Sequence, residues 1–368
     1  MHNVDFHDLA VVVQGAVRQE FIQICLGSIR KYLPGAQIIV STWEGSDTAD
    51  IDCDKLVCSK DPGCFPYDVL QDSLPNNIDR QIVSTQAGLQ CVDRKYCIKM
   101  RTDFYLTSNH FLDFYEKYGS FYEKYHFLSK RVIVCSLYSR NPRYRHACFA
   151  MPYCISDFFY FGLTKDVLEI FHHLELTADR DKQYFHIYSG KRKELHYSYA
   201  LCRFMPEQAI WMGFLKQHMP RLYCEHRDDV NAKNIFYTEQ SIANNTVILS
   251  PVQIGLASCK KDMFAKGSRE NCYSHVQWKF LYHIFSRKKK YLKGVYLVTL
   301  YVSYFCRKCL FFVSYVFYAK CKTGSSILQS RNPERRNSER RKRKSLKRYL
   351  YDSAKQKSKE EKYEDTGS

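Results

Sequence analysis

The sequence predicts an α/β fold: a doubly wound, mostly parallel sheet, followed by a helical appendage and a basic tail. Three observations carry that prediction. Leu9 to Val13, LAVVV, is a continuous apolar run, the pattern of a strand covered on both faces. Arg18 to Tyr32 then sets Phe21, Ile22, Cys25, Leu26, Ile29 and Tyr32 at three- and four-residue steps, a helix stopped by Pro34-Gly35. Charge, finally, is divided unevenly. Residues 287–368 carry 23 Lys/Arg against 7 Asp/Glu, leaving 33 against 31 for everything before them.

Ala36 to Thr42, AQIIVST, follows the first helix as a second strand, and the short connections admit only a right-handed parallel crossover. A third strand, Lys55 to Ser59, ends in Lys60-Asp61-Pro62-Gly63. Asn76 to Val92 reads as a long helix leading into Lys95 to Thr107, KYCIKMRTDFYLT, where an apolar run ends in Arg101-Thr102-Asp103. Four parallel strands with helices between them make the sheet doubly wound. Open sheets of this kind bind ligands outside the carboxyl ends of their strands, which makes Asp103 the focus of the chain. A plain strand-end ion pair between Arg101 and Asp103 is the local alternative.

Farther on, His110 to Tyr125 is expected to be an aromatic-rich amphipathic helix, Arg131 to Leu137 a strand, and Ser139 to His146 a polar loop. Ile155 to Leu163 is expected as a strand, followed by a helix from Thr164 to Leu174 that Thr164 and Asp166 can cap. Phe204 to Gln217 opens with Met205-Pro206-Glu207-Gln208, a helix start that places a carboxylate at the positive end. Glu207 would then face the ligand, or merely satisfy the helix terminus.

From Phe280 to Ala319 aromatic stretches alternate with basic clusters, in uninterrupted apolar runs of 13 and 10 residues. A 13-residue helix covers roughly 20 Å, short of a hydrocarbon core of about 30 Å. A helix lying at the headgroups, or a re-entrant hairpin turning at Arg307-Lys308, fits better than a span. Arg335 to Arg348, RRNSERRKRKSLKR, belongs to a tail expected to be disordered and to seek anionic lipid. Nucleic acid is the alternative partner, and the missing aromatic interleaving argues against it. The predicted organisation is therefore a body over 1–265, an aromatic and basic membrane-associated region over 266–322, and a disordered tail over 323–368.

The 16 cysteines are scattered through apolar runs, as expected of core thiols in a reducing compartment. Cys53, Cys58 and Cys64 lack zinc-ligand spacing, and Cys306-x-x-Cys309 is a single CxxC, read as incidental or as an acylation site. Met1 to Asp8 is polar, without the apolar run of a signal peptide, which predicts a cytoplasmic body.

No GxGxxG, GxxxxGK[ST] or G-x-S-x-G occurs, so dinucleotide oxidoreductase, P-loop NTPase and serine hydrolase all lose their main support. What remains is a nucleotide cradle of acids and small residues, with an acid at the fourth strand end able to hold a divalent cation against a diphosphate. That is the layout of a Rossmann-like sheet of the glycosyltransferase A type.

Seven blocks in order carry a closer likeness: VVVQG (Val11 to Gly15), SIRKYLPGAQIIVSTWEG (Ser28 to Gly45), SKDPG (Ser59 to Gly63), NNIDRQIVSTQAGL (Asn76 to Leu89), YCIKMRTDF (Tyr96 to Phe104), SDFFYFGLTKDV (Ser156 to Val167) and PEQAIW (Pro206 to Trp211). Together they resemble the WavE lipopolysaccharide synthesis family, over about residues 10 to 215. The resemblance implies a bacterial glycosyltransferase of surface polysaccharide assembly, peripheral at the cytoplasmic face of the inner membrane, moving a sugar from a nucleotide sugar to a lipid-linked saccharide. It implies that Gln14, Gly15, Thr42, Glu44 and Asp61 line the nucleoside pocket and that Arg80 braces it or meets the phosphates. Asp103 would stand where A-type transferases keep the last acid of a D-x-D motif, with Arg101 in place of the first. That departure leaves two ways to neutralise a diphosphate: Mg²⁺ or Mn²⁺ at Asp103, or the Arg101 guanidinium itself. Asp157 and Glu207 are the candidates for the base that takes the acceptor hydroxyl proton. A non-catalytic membrane adaptor of the polysaccharide machinery is the alternative function.

Overall fold

The computed structural model describes residues 4–69, 75–144, 150–194, 200–260, 263, 271–303 and 305–306. Strand β1 (Leu9–Gln14) passes through helix α1 (Gln19–Tyr32) to β2 (Gln37–Trp43), and β3 (Lys55–Ser59) lies beside it. Helix α2 (Ile78–Gln90) then carries the chain back to β4 (Tyr96–Arg101), which pairs with β1 on the side away from β2. These four strands are parallel. The chain thus builds outward from β1 in one direction and then in the other, which opens a crevice between the ends of β1 and β4.

A short strand β5 (Phe104–Leu106) follows β4 and pairs antiparallel with β9 (Leu256–Ser258), outside the main sheet. The far half of the sheet holds β6 (Val132–Cys135), β7 (Phe159–Leu163) and β8 (Thr246–Leu249), for an order of β8-β6-β7-β4-β1-β2-β3. Strand β7 runs antiparallel to both neighbours, and β6 and β8 run parallel. The sheet is therefore mixed α/β and mostly parallel.

Every residue of β1, β6 and β8 is buried, whereas the edge strand β3 is only half-buried. Burying a Val, Leu or Ile contributes about 1.5–3 kcal/mol, so the fully buried LAVVV and its neighbours carry much of the core's stabilisation. Helix α2 lies close on β1 and β2 at Gly88, where a Cβ would meet Val12 Cγ1 at 2.5 Å and Ser41 Cβ at 3.1 Å. Helices α3 (Thr164–Phe171), α4 (Pro206–His218), α5 (Ala232–Asn245) and α6 (His275–Leu281) complete the body, and a π-helical turn (Tyr282–Ser286) extends α6.

Three expectations from the sequence are corrected. His110 to Tyr125 is not one helix but two 3₁₀ turns, His110–Phe114 and Glu123–Tyr125. Its aromatics serve different surfaces: Phe111 packs on Phe159 and Phe161, and Tyr118 on Trp278 and Tyr282. Arg131 donates to the Tyr118 and Ser120 carbonyls, taking acceptors that a helix would have used. Second, Ile155 to Leu163 is a strand only from Phe159. Third, Asp166 does not cap its helix; it accepts instead from the Ser129 and Lys130 backbone at 2.7 and 2.9 Å, tying α3 to the start of β6.

Of the segment expected at the membrane, α6 belongs to the core, with Trp278 and Leu281 fully buried. A helix over 292–303 follows. Tyr296 and Leu300 bury one side of it, while Tyr291, Val295, Val298, Tyr301 and Val302 stand exposed on another. Among the described residues no helix is long and apolar enough to cross a membrane. Cys309, the apolar run Leu310 to Ala319 and the basic tail lie outside the described residues.

Candidate functional site

The crevice between β1 and β4 opens into a cleft of about 420 Å³, within the range of small-ligand sites. Gln14, Gly15, Asp61, Arg80, Arg101 and Asp103 all line it. Gly15 turns the chain with φ +120, a conformation that disfavours any side chain, so bare backbone forms this wall. Gln14 is braced from α2, its Oε1 accepting from Ser84 Oγ at 2.7 Å. Arg80, also on α2, grips Asp61 through Nε and Nη2 at 2.8 and 2.7 Å, and the Gly63 N–H bonds the same carboxylate.

Thr42 and Glu44 are not brought to the cleft. Side chains alternate along β2, so Trp43 faces it; Thr42 Oγ1 lies 3.2 Å from Ser46 Oγ, and Glu44 points to solvent.

At the cleft floor Arg101 folds onto Asp103. Its Nε and Nη2 donate to the two carboxylate oxygens at 2.9 and 2.8 Å, and Lys260 Nζ lies 2.5 Å from Oδ2. Burial alone would raise the Asp103 carboxyl, but the Arg101 and Lys260 cations outweigh it and hold it down at about 2. Nothing near Asp103 in the sequence indicates Lys260. It arrives through the β5–β9 pairing, which is continued by the Cys259 N–H donating to the Asp103 carbonyl at 3.0 Å.

Behind Arg101 lie the other two carboxylates. Arg101 Nη1 is 3.9 Å from Asp157 Oδ2, and its guanidinium rests over the Phe158 ring at 5.2 Å. Asp157 reaches this edge because β7 is antiparallel: the residues just before its first strand position then sit beside the carboxyl end of β4, in register with Met100 at Phe159. A parallel β7 would have sent it to the opposite edge. Glu207 comes from the first turn of α4, where Pro206 starts the helix and Gln208 bonds back to the Met205 N–H at 3.2 Å.

Asp157 is 1 % exposed and Glu207 7 %, and neither Asp157 carboxylate oxygen nor Glu207 Oε2 has a hydrogen-bond partner among the described residues. Burial, and then the Asp157 charge, push the Glu207 carboxyl up to about 7. Lys99, fully buried on β4, donates Nζ to the Asp157 carbonyl, and burial brings its ammonium down to about 8. Two acids are therefore set apart by environment: one firmly ionised against cations, one poised near neutrality.

A divalent ion needs carboxylate oxygens with room to coordinate it. Asp103 gives its oxygens to Arg101 and Lys260, and among the described residues no three His, Cys, Asp or Glu side chains gather around a point that could hold a metal. Cys53, Cys58 and Cys64 are free thiols, as are the buried Cys25, Cys97, Cys135 and Cys202.

Comparison with curated proteins finds no match. The family comparison does, and it runs past the seven blocks quoted above, through β9, Lys260 and α6. From residue 9, where β1 starts, to residue 310, the chain matches the description of WavE lipopolysaccharide synthesis, and by that match it belongs to the WavE lipopolysaccharide synthesis family.

Proposed function

We propose that the chain is a glycosyltransferase that moves a sugar from a nucleotide diphosphate donor to a lipid-linked saccharide at the cytoplasmic face of a bacterial inner membrane. The observation that carries this reading is the cleft at the β1–β4 crevice, where Arg80, Arg101 and Lys260 gather around Asp61 and Asp103, with Asp157 and Glu207 just beyond. The cleft receives the nucleoside against the Gly15 backbone and Trp43, and the cations meet the diphosphate. Glu207, pushed to about 7, takes the proton of the acceptor hydroxyl as its oxygen bonds the anomeric carbon; the bond from that carbon to the diphosphate breaks, and the nucleoside diphosphate leaves with its charge held by Arg101 and Lys260. Asp157 beside it keeps Glu207 basic enough for the task.

The membrane part of the reading rests on two features far from the cleft. The outer side of the helix over 292–303 exposes Val295, Val298, Tyr301 and Val302, a stripe at three- and four-residue steps continued by Tyr291 in the turn before it. Beside that helix, a cavity of about 760 Å³ has Phe236, Phe285, Lys288, Lys290 and Lys293 in its lining. Apolar surface with lysines next to it is the chemistry of an anionic lipid interface.

The test incubates purified protein with a panel of labelled sugar nucleotides and extracted lipid-linked saccharides. Label passing into the lipid fraction is expected, and its loss in Asp103→Ala with an unchanged circular dichroism spectrum. Sedimentation with phosphatidylglycerol vesicles, absent in Val298→Asp/Val302→Asp, tests the membrane part. Vesicle binding without affinity for any sugar nucleotide would favour the adaptor instead.

A further inference from the structure

We propose that this site binds its diphosphate without a metal ion: Arg101 and Lys260 supply the counter-charge, and Asp103 orients Arg101 rather than coordinating a cation. The inference deepens the nucleotide-sugar reading and rests on it. Among the described residues the acids lining the cleft are Asp61 and Asp103, and both are already paired, Asp61 with Arg80 and Asp103 with Arg101 and Lys260. Against these two carboxylates the described residues of the cleft lining supply four cations, Arg18, Arg80, Arg101 and Lys260. A metal ion at Asp103 would have to displace a bidentate guanidinium and an ammonium into a place already rich in positive charge.

Arg101 is built for the alternative. Asp103 occupies its Nε and Nη2 fork, the Phe104 and Phe158 rings lie 5.9 and 5.2 Å from its guanidinium carbon, and Nη1 points to Asp157 no closer than 3.9 Å. The guanidinium is thus fixed in place with donor capacity left, the arrangement that binds phosphate oxygens at little cost in ordering. Lys260 is different. Its side chain is half-exposed and bonds Asp103 as a point charge, so it can turn from Asp103 to a phosphate without breaking a packed contact. Binding then exchanges one partner of Lys260 for another, and no covalent step is involved.

The experiment is titration calorimetry and thermal shift of the full chain with uridine, guanosine, cytidine and adenosine diphosphates, each in EDTA and in Mn²⁺. The nucleotide that binds should do so with a Kd that EDTA changes by less than about threefold. Lys260→Met and Arg101→Lys should each weaken it by about tenfold or more in both buffers, the loss expected for one charge-assisted or bidentate contact. Arg101→Asp, which places two acids two residues apart, should bind only when Mn²⁺ is present. A wild-type Kd weakened more than about tenfold by EDTA overturns the inference while leaving the nucleotide reading intact, and this comparison needs no variant to fold. No binding in either buffer overturns both.

Discussion

Asp103 and Glu207 are carboxylates on two sides of one guanidinium, and their surroundings drive them in opposite directions. Asp103 has Arg101 and Lys260 in direct contact and stays ionised far into acid. Glu207 is buried beside Asp157, and its Oε2 has no hydrogen-bond partner among the described residues, so it gives up its proton only near neutrality. Lying near Arg101 does not by itself decide the charge state. What decides it is whether the donors touch the carboxylate or merely lie behind it.

Arg101→Ala leaves the buried Asp157 carboxylate without the guanidinium 3.9 Å from it and Asp103 with Lys260 alone, and should cost about 3–5 kcal/mol in urea unfolding at pH 7. A loss below about 1 kcal/mol would mean that the two sides are not coupled through this residue.

Glu207→Gln should reduce transfer by about 10²–10⁴-fold and remove the limb of the pH–rate profile near pH 7. Its stability profile should change as well. The folded chain holds a proton that the unfolded chain releases near 4.5, so wild-type stability falls as pH rises from about 4.5 through 7, by roughly 3 kcal/mol. The variant should be flatter over that window and more stable than wild type at pH 8.

Asp103→Asn should act in the opposite sense. With its carboxyl held at about 2 against an ordinary 3.8, Asp103 contributes stability that is complete above about 3.8 and lost as pH falls from 3.8 to 2. Removing the charge should cost about 2 kcal/mol at pH 7 and nothing at pH 1.5, read from denaturation across that range. If both variants shifted the same limb, the contrast between the two carboxylates would fail. Lys260→Met is the smallest change. The half-exposed ammonium should cost less than about 1 kcal/mol, while moving the acid limb of Asp103 to higher pH.

Much of the fold was legible because local pattern and global position agree. LAVVV is buried throughout, and the helix after it keeps its expected face inward at Ile22, Cys25, Leu26 and Ile29. KYCIKMR reads as a strand and is one, and its end lines the cleft. The illegible parts depend on pairing across long separations. Lys260 reaches Asp103 from 157 residues away through two three-residue strands too short to show a period. The reversed direction of β7, which brings Asp157 up behind Arg101, has no local signature, since a buried strand reads alike in both orientations. The family resemblance assigns Thr42 and Glu44 to the cleft; alternation along β2 selects Trp43 between them.

Arg131 has a consequence for the order in which the chain assembles. Its guanidinium lies over the Phe121 and Tyr282 rings and donates to the Tyr118, Ser120 and Ala243 carbonyls, joining the segment between the two 3₁₀ turns to α5 and to the turn after α6. That segment has no helix or strand of its own and takes its course from a residue at the head of β6. It can therefore settle only after β6 and α5 have met, late in folding, and a protease acting on a partly folded chain should find it open when the strands around β1 are already closed.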